Sequence, residues 1–160
     1  MPLYEAHLPV ADLETSIAFY RDVVGLIPAY RQPERGVAFL WVEGPTVGML
    51  GLWHPGASWG WGPGEKHRCH FAISVSLEVL FASIPRLRKL GVTPIGFGGG
   101  PIEEPSVIGW MPSAQLYFRD PDGHSVEYLS LLDDAPDPKF IGPLSAWKSF
   151  LDEIVTVRLT

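Results

Sequence analysis

Two histidines and one glutamate carry the chemistry available to this sequence. His7 stands in Ala6-His7-Leu8-Pro9-Val10 and His70 in Cys69-His70-Phe71-Ala72-Ile73, 63 positions apart. Each lies early in a short strand-like run that leads toward a helix. Alternate side chains of a strand point to opposite faces. Around His70 this leaves Phe71, Ile73 and Val75 on one face, with Ala72 and Ser74 beside the imidazole on the other. The bulky face suits packing on helices, and the small one suits an open cavity. His7 shares its face with Glu5 and Pro9, against Ala6, Leu8 and Val10. Glu127 shares its face with Ser125, Leu129 and Leu131. An unpaired carboxylate is costly to bury on so apolar a strand, and a divalent cation would remove that cost.

The elements that must position these residues come from an internal repeat. Besides the two histidine runs, Gly44-Pro-Thr-Val-Gly-Met-Leu50 and Gly123-His-Ser-Val-Glu-Tyr-Leu129 both read G-x-x-V-x-x-L. They stand 79 positions apart, as do Phe39 and Phe118. Gly25-Leu26 and Gly91-Val92 close the two helical stretches. Each copy reads strand, helix, then three strands, which predicts an α+β fold of two βαβββ modules. In the first copy Tyr4–Val10 is a strand. Asp12 caps a helix with Leu13, Ile17, Tyr20 and Val24 at helical spacing, and Gly25 ends it. Strands near 27–31, 36–42 and 47–53 follow. In the second copy 67–75 is a strand and 77–90 a helix, which Pro85 should kink or delay. Strands near 92–97, 106–110, 114–119 and 124–132 complete it, and Asp120-Pro121-Asp122-Gly123 makes a tight turn. The domain therefore spans 1–132, with module one at 1–53, a loop at 54–66 and module two at 67–132. Residues 133–160 are a linker and a C-terminal amphipathic helix at 145–155.

Composition narrows the partners. The 160 residues carry 18 acidic and 12 basic side chains, a formal charge of −6, and no basic stripe. That argues against nucleic acid and against an anionic membrane surface. One cysteine excludes an internal disulfide and a cysteine-based zinc site. No signal-like N-terminus or membrane-spanning run is visible, so the expected location is cytoplasmic by default.

Strand-initial His7, its repeat His70, and Glu127 after the D-P-D-G turn resemble the vicinal oxygen chelate superfamily. That superfamily groups glyoxalase I, extradiol dioxygenases, fosfomycin-resistance proteins and bleomycin-binding proteins. The resemblance covers about residues 4–132. It implies paired modules whose mixed sheets curve around a cup, with His7, His70 and Glu127 as metal ligands on the inner strands. The fourth ligand of glyoxalase I falls at Gly48 in the repeat alignment and is missing, which counts against that particular reaction. A set of two imidazoles and one carboxylate suits one ion of Fe(II), Mn(II), Ni(II), Co(II) or Zn(II), with positions open to substrate and water. The resemblance implies a small-molecule substrate and a homodimer, and the apolar tail helix offers a surface for pairing.

Around this centre Trp41, Trp53, Trp110 and Tyr128 are candidates for cup wall or core, Gly48 for a coordination vacancy, and Arg119 for an anionic substrate group. Glu127 is the catalytic candidate through the metal, leaving Glu5 as the nearest candidate base. Trp59 and Trp61 sit on a glycine-rich loop that could equally cover the cup or form a subunit contact. His67 and His124 read as solvated, and Cys69 as a buried, inert thiol. The expected function is a metal-dependent lyase, thiol transferase or ring-cleaving dioxygenase. The alternative is a non-catalytic protein that sequesters an antibiotic or metabolite.

Overall fold

The computed structural model describes residues 3–57 and 68–148. The chain forms two compact units. One comprises Met1–Cys69 with Asp120–His124, and the other His70–Arg119 with Ser125–Thr160. The loop tryptophans Trp59 and Trp61, His67, and the end of the expected C-terminal helix lie outside the described residues.

Unit one follows the expected order. Strand β1 (Glu5–Pro9) leads into helix α1 (Leu13–Phe19), β2 (Ile27–Gln32), β3 (Val37–Val42) and β4 (Gly48–Trp53). The Asp12 side chain accepts the Thr15 N–H at 2.7 Å and starts the helix. The helix widens into a π turn at Tyr20–Val24 and stops at Gly25, whose φ of 91° is the left-handed conformation that favours glycine. The strands order β1-β4-β3-β2, with β1 and β4 parallel. Leu8, Leu40, Leu50 and Leu52 fill the face under α1. Burial of such side chains stabilises by about 2 kcal/mol each.

Unit two repeats the plan with β5 (His70–Ser74), α2 (Leu77–Lys89), β6 (Ser106–Ile108), β7 (Ser113–Arg119) and β8 (Ser125–Leu131). Helix α2 buries Leu80, Ile84 and Leu87, and it runs through Pro85 without a break. The expected strand at 92–97 does not form. Pro94 and the glycines that follow leave only Ile95 bridged, to Tyr117 and Pro101.

A short strand in the tail is a second difference from expectation. β9 (Ile141–Pro143) pairs antiparallel with β6, giving the order β5-β8-β7-β6-β9. Gly142 and Pro143 hid it, because both residues are depleted in strands. Beyond it residues 144–148 begin a helix. Leu144 and Trp147 are buried in unit two, and the Trp147 Nε1–H donates to Asp134 Oδ2 at 2.9 Å. These two apolar residues of the tail are thus spent inside their own unit and offer no surface for pairing. No helix among the described residues is long and apolar enough to cross a membrane.

Candidate metal site

Unit two brings a histidine and a buried carboxylate together. In the parallel pair β5–β8, His70 lies opposite Ser125 and Ala72 opposite Glu127. In the antiparallel pair β7–β8, Tyr117 lies opposite Glu127 and Arg119 opposite Ser125. Strand alternation therefore puts His70, Glu127, Tyr117 and Arg119 on one face. His70 Nε2 is 3.0 Å from Glu127 Oε2; the His70 side chain is 53 % exposed and that of Glu127 only 8 %. Burial pushes the Glu127 carboxyl above the usual range, while the His70 and Tyr117 contacts pull the other way. The Tyr117 hydroxyl is hydrogen-bonded to the same carboxylate and is raised by its own burial and by that charge.

This pair fits a cation. Ligands held at about 2.0–2.2 Å from an ion stand roughly 3 Å apart when adjacent around it. The nitrogen and oxygen already have that spacing, and a cation would offset the cost of the buried carboxylate.

Unit one presents the other histidine in a different setting. His7 lies opposite Gly51, and Gly51 opposite Phe39. The Trp53 Nε1–H donates to His7 Nδ1 at 2.6 Å. His7 Nε2 faces Glu5 Oε1 at 3.4 Å. Phe39 meets the imidazole edge-on, with ring centres 6.2 Å apart. Trp41, half-buried, lies opposite Met49 in the row that contains Glu5, so it shares this face.

The registers also show how the modules correspond. The Val10 N–H donates to the Trp53 carbonyl and the Val75 N–H to the Leu129 carbonyl, both at 2.9 Å. Val10 therefore matches Val75, and Trp53 matches Leu129. Counting back along each strand, Glu5 matches His70, His7 matches Ala72, and Gly51 matches Glu127. Gly48 is not the vacancy. It lies three residues before Gly51, on the opposite face with Leu50 and Leu52, and a Cβ there would approach the Tyr4 carbonyl at 3.2 Å.

Other expected site residues scatter. Tyr128 points to the helix side, buried against Phe118, with Arg86 donating to its hydroxyl. Trp110 sits in a turn, 61 % exposed. Arg119 holds the exposed end of β7 on the His70 face. Two residues on that face were missed. Tyr117 was legible from parity with Arg119. Gln115 is fully buried, and its Nε2 has no hydrogen-bond partner among the described residues.

A second cluster resembles a cation site in composition and spacing. Donor atoms of Asp120, Asp122 and His124 lie within 4.8 Å of one another. Every one of them is already used. Asp120 Oδ1 accepts the Asp122 and His124 N–H groups, and Oδ2 accepts the buried Tyr20 hydroxyl at 2.8 Å. The Asp122 oxygens accept Ala11 N–H and Ser16 Oγ–H. His124 Nδ1 accepts the Cys69 N–H at 2.9 Å, so its Nε2–H donates to the Pro9 carbonyl at 2.6 Å. His124 is 1 % exposed, not solvated as its turn position suggested. Cys69 is half-buried rather than buried, and desolvation, then Asp120, raises its thiol. The cluster is a saturated polar cross-link of unit one. His124→Ala should cost about 2–4 kcal/mol, from two orphaned backbone groups and a cavity. Thermal melts read that loss. Metal stoichiometry should stay at the parent value, and a fall in it would return the cluster to the metal candidates.

The comparisons with known proteins agree with this architecture. The chain belongs to the Glyoxalase/Bleomycin resistance protein/Dioxygenase superfamily, whose family model matches residues 4–128. It is 27 % identical to a lactoylglutathione lyase of Haemophilus influenzae over 134 residues, covering 81 % of this chain and 92 % of the relative. An integron cassette protein from the mobile metagenome of the Halifax Harbour sewage outfall superposes with a TM-score of 0.64 at 29 % identity, covering 81 % of this chain and 98 % of that one. A lactoylglutathione lyase from Agrobacterium tumefaciens gives 0.61 at 26 % identity, covering 81 % and 92 %.

Proposed function

We propose that this protein is a divalent-metal-dependent enzyme acting on a small oxygen-bearing organic substrate. The observation that carries the reading is the His70–Glu127 pair, preset at 3.0 Å with the carboxylate buried. His70 and Glu127 hold the ion. His7 is the third donor of the proposed set. A bound Fe(II), Mn(II), Ni(II), Co(II) or Zn(II) ion would supply Lewis-acid chemistry at a substrate oxygen.

The chain's own groups do the rest. Tyr117 fixes the Glu127 carboxylate through its hydroxyl. The exposed Arg119 guanidinium, one strand pairing from Ser125, can meet an anionic end of the substrate. Phe39, Trp41 and Trp53 give the His7 face an apolar wall. The relatives that are lactoylglutathione lyases favour lyase chemistry. Glycine at the position matching Glu127 removes one side-chain donor and argues for a more open coordination sphere. Stoichiometric binding of one of the five ions by the full chain is expected, read by elemental analysis after dialysis. Failure of all five to bind at micromolar concentration would overturn the reading. A substrate panel run on the loaded protein then separates lyase, thiol-transfer and ring-cleavage chemistry.

A further inference from the structure

Unit two carries a groove that the metal pair does not use. It measures about 500 Å³ and is lined by Phe97 and Ile102 of the glycine-rich loop, Ser106 of β6, and Ile141 and Pro143 of β9. The strand residues among these project from the same sheet face as His70 and Glu127. Ser106 lies opposite Gln115 and Pro143, and Ile141 lies opposite Ile108, which faces Ser113. Gln115 and Ser113 share a face with Tyr117, which lies opposite Glu127. Strand β9 belongs to the tail, beyond the residues 4–128 that the family model matches. We propose that the groove holds one end of the substrate, an uncharged apolar arm with an oxygen at the level of Ser106. This rests on the metal reading given above.

The lining defines the chemistry of the arm. Phe97 and Ile141 are each more than half exposed, so their apolar surface is open to a guest. Two further lining residues, Glu103 and Glu104, are carboxylates. Among the described residues only Glu103 is paired with a cation, Arg88 at 2.7 Å. The groove therefore carries a net negative charge, which disfavours an anionic arm. Its polar contacts are donors. The Ser106 hydroxyl oxygen accepts the Phe97 N–H at 3.3 Å, and its own proton has no acceptor among the described residues. Its register partner Gln115 accepts the Ser113 hydroxyl through Oε1 at 3.1 Å, and its Nε2–H has no partner among the described residues. Two unspent donors side by side on β6 and β7 call for an oxygen acceptor. The reach is also set by the sheet. Ser106 lies two strands across and two residues along from Glu127. Spacings of about 4.8 Å between strands and about 3.4 Å per residue put it roughly 12 Å away, about the span of a ten-carbon chain.

The test loads the full chain with Zn(II) and titrates it calorimetrically with hydroxamates, which bind a metal through two adjacent oxygens. Decanohydroxamate is expected to bind at least about 30-fold tighter than acetohydroxamate, since each methylene buried on apolar surface gains about fourfold. An arm of the same length that ends in a carboxylate should lose most of that gain. Ile141→Glu, at an exposed position, should erase the gain and leave acetohydroxamate binding unchanged. A ketone near the far end of the decanoyl arm should be tolerated by the parent and cost about 5-fold in Ser106→Ala. Plain decanohydroxamate should keep its affinity in that variant, which shows the groove intact. No binding of acetohydroxamate would overturn the metal reading and this proposal with it. Acetohydroxamate bound with no gain for the decanoyl arm would overturn the groove alone and leave the metal reading standing. A gain that survives Ile141→Glu, or an equal gain for the carboxylate-ended arm, would do the same. Circular dichroism of each variant confirms that a loss is not unfolding.

Discussion

On the proposed metal assignment, replacing His70 with alanine is expected to abolish divalent-ion binding while the fold persists. His70 opens β5 with its side chain half exposed, and its removal leaves no buried hydrophobic gap. What it leaves is Glu127, a buried carboxylate with one fewer neighbour. Losing one of the proposed donors should cost at least about 100-fold in affinity, more than the usual penalty for an outer partner of a ligand. The stability change should be small. Elemental analysis and a thermal melt read the two effects separately. Stoichiometric metal retained in this variant would remove His70 from the ligand set.

The second large effect is on stability and comes from the tail. Trp147→Ala should cost about 3–5 kcal/mol, the usual range for emptying a buried aromatic site. Trp147 is fully buried, stacks edge-on against Phe140 with ring centres 4.8 Å apart, and bonds Asp134. Gly109 packs against the same ring, where a Cβ would stand 3.1 Å from it. At this chain length the melting temperature should fall by roughly 10 °C. Trp147→Phe should recover most of that loss, short of the indole hydrogen bond. A melting temperature unchanged in Trp147→Ala would show that the segment after β8 is dispensable to unit two.

The fold was legible because duplication leaves its mark twice. Asp12, Gly25 and the apolar spacing of both helices are local signals, and the structure uses each of them. The register was less legible. The pattern G-x-x-V-x-x-L aligned the turn before β4 with the turn before β8, which placed Gly48 against Glu127. Hydrogen bonding instead matches Gly51 to Glu127, because β3 and β4 run one residue pair further past the matched positions before their turn closes than β7 and β8 do. A separate slip paired His7 with His70, two residues from the strand position that corresponds. In a strand, a shift of three reverses the face and a shift of two keeps it. That is why Gly48 left the site face altogether while His7 stayed on it. The tail strand and the 120–124 cross-link were hidden for another reason. Both depend on partners distant in sequence, and no local pattern announces them.

The turn at Asp120–His124 is grouped with unit one, although the strands it joins, β7 and β8, lie in unit two. This bears on the history of the gene. A half-length ancestor that ended near Cys69 would lack the acceptors that Tyr20, Ala11 and Cys69 now use and the donor that Pro9 now uses. Once the first half came to rely on a turn encoded in the second, fission of the duplicated gene would yield a product missing its own cross-link. Cut at Cys69, the first half would lose the five-residue turn that ties Tyr20, Ala11, Pro9 and Cys69 together.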